Sequence, residues 1–451
     1  MEIIYTVLVM IFTLTILVAV HEFGHFWVAR RCGVKVIRFS IGFGTPLLRW
    51  RDKLDTEYVF CMIPLGGYVK MLDEREGEVT PGQEGQAFNN KPVLQRIAVV
   101  SAGPLANLLL AVLAYWFIFL AGVTGIAPVI GDIKEGSVAD MAGLEPGQEI
   151  VAVDGGKTPT WQALNFRLLN RIGDSGVISF SVRYPDSDMV YRSEAQLHEW
   201  MSEAEEPNLI GGLGIEMYRP PVPAVVDEVV PDSPAAAAGL QPSDHIVRAD
   251  GVAMVSWRDW VEYVRARPGQ AIEMEFERDG ELHSGFITPA RKIDDDGEPY
   301  GQVGISVTIP QWPERMRREF HYGPIEALVA ATTRTAELVR FTLISIKKMA
   351  MGLISPKNLS GPITIAKVAT ASAKSGLESF VGFLALLSVS LGVLNLLPVP
   401  VLDGGHLLYY LIELVVGKPV PEKVQMLGYQ VGLFIITGVM LLALYNDFSR
   451  L

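Results

Sequence analysis

The chain has 451 residues, 49% of them hydrophobic, and a mean hydropathy of +0.29; it is larger than one soluble domain and too apolar for an ordinary cytosolic protein. A formal net charge of −12 argues against nucleic acid as a partner, and two cysteines, Cys32 and Cys61, are too few for a disulfide framework. Four uncharged stretches, Ile3 to Val20, Ile97 to Ile130, Phe380 to Leu402 and Val424 to Asn446, each approach or exceed the roughly 20 residues a helix needs to cross a bilayer. The expected fold is a polytopic α-helical membrane protein with four transmembrane helices.

The first stretch runs into His21-Glu22-Phe23-Gly24-His25. No lysine or arginine precedes it, so it reads as a retained span rather than a secretory signal. Ionisable residues at membrane depth cost roughly 2.5 kcal/mol or more and are rare unless they bind an ion, pair or work. On a helix, positions i and i+4 share a face, so His21 and His25 can aim both imidazoles at one point with Glu22 beside them. That geometry suits Zn2+. A catalytic zinc takes three protein ligands and a water whose pKa it lowers to about 7. Glu22 is then the general base that takes the water's proton and returns it to the departing amine.

Residues 31–96 form the next unit. Arg30, Arg31, Lys35, Arg38, Arg49, Arg51 and Lys53 crowd its start, and Lys91 and Arg96 close it. Gly42-Phe43-Gly44 and Pro64-Leu65-Gly66-Gly67-Tyr68 punctuate alternating, β-branched and aromatic residues, which predicts a membrane-associated, cytoplasmic or re-entrant β-hairpin loop. A transmembrane substrate hides its carbonyls in helical hydrogen bonds and must unwind before attack. A strand edge at Gly66, Gly67, Tyr68 and Val69 could replace those bonds. The same residues could equally be a scaffold holding the first two spans apart.

After the second span, assigned to 97–125, two stretches match at an offset of about 96 residues. Ala142-Gly143-Leu144 answers Ala238-Gly239-Leu240, Val153-Asp154-Gly155 answers Ala249-Asp250-Gly251, and Trp161 answers Trp257. These units, 126–220 and 221–310, resemble PDZ domains in a circularly permuted order, and so are expected to be two outer α+β domains. They could take a peptide by strand addition or act as a steric cap over the active site. Residues 311–376 carry an amphipathic segment, Tyr322 to Ile354, that fits a helix at the bilayer surface or one packed on protein.

The third span, 377–405, ends in Asn395, Pro398, Pro400 and Asp403-Gly404-Gly405-His406. Asp403 is the preferred third zinc ligand, with His406 as its rival. The prolines disfavour regular helix before them. Asn395 could bond a substrate backbone or satisfy a carbonyl freed by those prolines. Residues 406–451 are assigned to a loop and the fourth span. Basic residues mark the loops after the first span and between the third and fourth as cytoplasmic, which puts both termini and the repeats on the outer side.

These motifs, together with Ser101-Ala102-Gly103-Pro104, resemble the site-two protease family over nearly the whole chain. The resemblance implies a multi-pass zinc metalloprotease of the bacterial inner membrane, with periplasmic PDZ-like domains, acting in regulated intramembrane proteolysis under envelope stress. It implies His21, His25 and Asp403 as ligands, Glu22 as base and Asn395 as support near the metal. Its expected partners are the lipid bilayer and single-span substrates already trimmed outside, namely an anti-sigma factor and remnant signal peptides. Two other classes use the same residues: a zinc transporter or sensor without hydrolysis, and a membrane scaffold with a decayed site.

Overall fold

A computed structural model of the chain describes every residue except Met1, Glu76, Glu78, 205–207, 295–296, 308–311 and 450–451. The boundary expected at 310/311 lies outside the described residues. Among the described residues, four helices are long and apolar enough to cross a membrane: Glu2–Arg31, Val93–Ala121, Leu377–Leu396 and Glu422–Ser449.

Three of the apolar runs are bounded differently from their composition. The first helix continues through the histidine motif to Arg31, so the motif lies well inside it. The second stops at Ala121, because Gly122 takes φ 91°, and Val123–Ile126 becomes a strand paired with Arg317–Phe320. The third stops at Leu396. Proline at 398 and 400 disfavours further helix, and Leu397 and Leu402 are extended at either end of this short connection. The region assigned to a loop after residue 406 is a helix, Asp403–Val416.

The expected amphipathic helix spans Pro324–Ala350 and is followed by a second one, Pro362–Lys374. Leu338 of the longer helix is buried with Ala111 and Ala114 of the second spanning helix and Ala385, Val389 and Val393 of the third. It is thus packed on protein along one face.

Between the first two spanning helices, β1 (Val36–Arg51) and β2 (Glu57–Met71) pair antiparallel. Residues 36–41 pair with 67–71 on one side and with 57–60 on the other, while 57–61 also pair with 46–51. The two strands therefore bend into four rungs, ordered 67–71, 36–41, 57–61, 46–51. Phe43, Leu47, Leu48, Trp50, Met62 and Ile63 are exposed on this sheet.

The two repeats share one topology. Each has a four-stranded sheet, ordered 156–157, 149–153, 176–183, 190–197 in the first and 252–253, 245–249, 272–278, 281–287 in the second. Asp154-Gly155 and Asp250-Gly251 all take positive φ, as a two-residue hairpin turn of the Asp-Gly type requires. Helices Trp161–Leu169 and Trp257–Arg265 start at Thr160 and Ser256, whose hydroxyls accept from the amides of Ala163 and Asp259. Each repeat closes a core of its own, the first around Ile150, Leu164 and Phe180, the second around Trp260, Ile246 and Met274.

Candidate metal centre

His21 and His25 sit one turn apart on the first spanning helix and meet Asp403 at the start of its helix. The two Nε2 atoms are 3.2 Å apart, and they lie 3.1 and 3.5 Å from Asp403 Oδ2. With zinc bonds of about 2.0–2.1 Å, the edge of a tetrahedron is about 3.3–3.4 Å, so these three atoms describe one face of a zinc tetrahedron.

The donor chemistry agrees. His25 Nδ1 lies 2.8 Å from the Val99 carbonyl, an acceptor only, which places the ring proton on Nδ1 and leaves Nε2 as a bare lone pair. Asp403 Oδ2 is buried and has no hydrogen-bond partner among the described residues. Lone pairs converging at this distance repel unless a cation stands among them, so the residues fit zinc. His21, His25 and Asp403 form the metal-capable cluster found among the described residues. His406 lines the same cavity without joining the three converging donors.

Close helix approach at this site depends on residues without side chains. A Cβ at Gly24 would lie 2.3 Å from the Ala102 carbonyl oxygen, and one at Gly103 would lie 2.3 Å from His25 Nε2. At Gly67 it would meet the Ser40 carbonyl at 2.7 Å and Glu22 Cγ at 3.1 Å. These glycines bring the second helix onto His25 and the sheet onto Glu22. On the other side, Gly404 and Gly405 let the Asp403 helix fold back on Leu397 and Pro400.

The cavity, of about 390 Å3, is lined by His21, Glu22, His25 and Asp403 on one side and Tyr68, Val69 and Lys70 on another. Residues 67–71 are the outermost rung of the sheet, and no further strand pairs with them among the described residues. Gly66, at φ 132°, turns the chain into this rung with Phe43 packed where a side chain would stand. Asn395 is placed apart, on the last turn of the third helix, outside the cavity lining.

Charged groups rim the opening. Burial pushes the Asp73 carboxyl up, but hydrogen bonds from the Arg75 guanidinium and amide outweigh this and hold it below the usual carboxylate range. Arg96 grips Glu413 with two hydrogen bonds, 2.6 and 3.0 Å, and stacks 4.8 Å above Tyr410, tying the second spanning helix to the Asp403 helix.

Sequence reasoning passed over Asn107, which is fully buried with its amide nitrogen 3.3 Å from His21 Nδ1. The available signal was a carboxamide inside an uncharged 97–130 run, a costly place for a polar side chain. It also passed over the part Gly103 plays in admitting His25.

Two histidines, a carboxylate and an adjacent glutamate converging among apolar helices define a zinc metalloprotease of the membrane. The model of peptidase family M50 matches residues 9–439. The chain belongs to that family, the site-two proteases. It is similar to the Regulator of sigma-E protease RseP of Escherichia coli (strain K12), 46% identical over 441 residues and 98% of each chain. It is also similar to Protease RseP of Yersinia pestis, 45% identical over 455 residues and 100% of each. The solved PDZ domain of an SdrC-like protein from Listeria monocytogenes aligns with 20% of this chain and 90% of its own, at 25% identity and a TM-score of 0.17.

Proposed function

We propose that the protein cuts transmembrane segments of single-span proteins already trimmed on their outer side, with an anti-sigma factor and remnant signal peptides as the substrate classes. The observation that carries this reading is the shared cavity: three zinc donors and Glu22 on one wall, an unpaired strand edge on the other.

His21, His25 and Asp403 hold the ion, and when bound it supplies Lewis acidity that acidifies a water and polarises the peptide carbonyl. Glu22 takes the proton from the attacking water and delivers it to the leaving amine. Gly66, Gly67, Tyr68 and Val69 present a strand edge to which an unwound substrate adds, replacing the hydrogen bonds lost with its helix. Asn395, on the last turn of the third helix, bonds the backbone of the unwound substrate. The exposed apolar face of the sheet sits in lipid beside the site.

Basic residues flanking the metal end, Arg30, Arg31, Lys35 and Lys91, support a cytoplasmic site with the PDZ-like repeats and both termini in the periplasm of an inner-membrane protein. The repeats then act as a size filter against bulky outer domains. Glu22→Gln tests the reading: zinc content stays at the wild-type level and cleavage of a model transmembrane peptide disappears. A sensor or transporter would keep its function in this variant, and a decayed site would hold no zinc in either protein.

A further inference from the structure

The second spanning helix presents Val99, Gly103 and Asn107 at spacings of four, one above another on the face that meets the histidines. Val99 supplies the carbonyl for His25 Nδ1, and Gly103 supplies the space for its ring. Asn107 meets the other histidine. It has no exposed surface, its amide nitrogen is 3.3 Å from His21 Nδ1, and its amide oxygen is buried with no hydrogen-bond partner among the described residues.

That orientation of the amide is chemically inconsistent with the site. A donor facing Nδ1 forces the His21 proton onto Nε2, the atom that must give its lone pair to the metal. A half-turn of the carboxamide exchanges nitrogen and oxygen with almost no change of shape. The oxygen then accepts from Nδ1–H and Nε2 is left bare, while the amide nitrogen takes the buried position that offers the oxygen no partner. We propose that Asn107 is a positioning residue, whose amide oxygen holds His21 in the tautomer and orientation that present Nε2 to zinc. Both histidines are then oriented by one helix, through a main-chain carbonyl at 99 and a side-chain carbonyl at 107. A ligating histidine whose other nitrogen loses its acceptor typically gives up 10–100-fold in metal affinity.

The backbone of Asn107 provides the control. Its carbonyl accepts from Ser388 Oγ at 2.7 Å, a contact that packs the second and third spanning helices together without touching the imidazole. The test uses the full-length protein in detergent, with zinc affinity read by chelator competition and the visible spectrum of the cobalt-substituted protein as a report on ligand geometry. Asn107→Leu, similar in shape and without an acceptor, should weaken zinc binding about 10–100-fold and change the cobalt bands. Asn107→Asp, which keeps an acceptor, should restore both, and Ser388→Ala should leave both unchanged. If the leucine variant does not extract intact, Asn107→Ala carries the same expectation. Wild-type affinity in the leucine or alanine variant would overturn the proposal, as would an aspartate variant as weak as the leucine one. Failure of the zinc reading itself is distinct, because the wild-type protein would then bind no zinc.

Discussion

Replacing Gly103 by alanine tests whether the metal site is built by helix approach. The added Cβ would stand 2.3 Å from His25 Nε2, 2.7 Å from Cε1 and 2.8 Å from Cδ2, all well inside van der Waals contact. The ring cannot simply turn away, because Nδ1 is held by the Val99 carbonyl at 2.8 Å. Relief requires a shift of about 1 Å, whereas a zinc–nitrogen distance tolerates about 0.2 Å. Overpacking of this kind costs about 1–3 kcal/mol; without the ion the imidazole can give up the Val99 bond and move aside, whereas the zinc-loaded state needs it in place, so the larger share falls on the loaded state. Zinc affinity should therefore drop about 5- to 150-fold. The metal-free fold should not suffer in proportion, since alanine is the better helix former by about 0.8–1 kcal/mol. Chelator competition measures the first effect and thermal unfolding of the metal-free protein in detergent the second. Wild-type zinc affinity and cleavage in Gly103→Ala would refute the argument that the glycine is there to admit His25.

Other perturbations read different parts of the structure. Tyr68 and Val69 are neighbours whose amides point to opposite sides of the strand, so of Tyr68→Pro and Val69→Pro one removes an amide from the unpaired edge and the other loosens the pairing with residues 36–41; the edge variant should abolish cleavage of a model transmembrane peptide at unchanged zinc content, and retained cleavage in both removes the edge from the mechanism. Arg96→Ala leaves Glu413, only 17% exposed, without its cation, and should lower stability in detergent by about 1–3 kcal/mol, with less damage when Glu413→Leu is combined with Arg96→Met. A double variant no better than the single one would count against an ion-pair effect. In the first repeat, burial pushes the Asp154 carboxyl up, but Arg171 and the Ser179 amide outweigh it and hold it below the ordinary value. That stabilisation is full above the unfolded-state pKa and is lost as pH falls through the folded one, so protection of the Ser179 amide against hydrogen exchange should fade in acid. Asp154→Asn tolerates the same positive φ and should flatten this acid limb; an unchanged limb would assign it to other groups.

Most of the candidate site was legible because its signals are local. The four-residue spacing of His21 and His25, the glutamate between them and a carboxylate after the third apolar run each announce themselves within one or two turns of helix. The repeats were legible for the same reason, since Asp-Gly at 154 and 250 is a turn signal that needs no partner. Boundaries were less so. Val123 to Ile126 is apolar like the helix before it, and only its pairing with residues 317–320 makes it a strand. The helix over 403–416 did carry local signals, Asp403 in its first turn and Gly417 at φ 74° just past its end, which the loop assignment passed over.

By itself the sequence determined that this is a multi-span membrane protein with a zinc-protease motif, because hydrophobic length and helical periodicity are properties of contiguous residues. Only the tertiary structure set Asp403, and not His406, within 3.5 Å of both histidine nitrogens, put residues 67–71 at the free edge beside Glu22, and brought Gly103 and Asn107 against the histidines. Those outcomes depend on which faces of distant helices meet, and at what separation. No pattern along one helix carries that information.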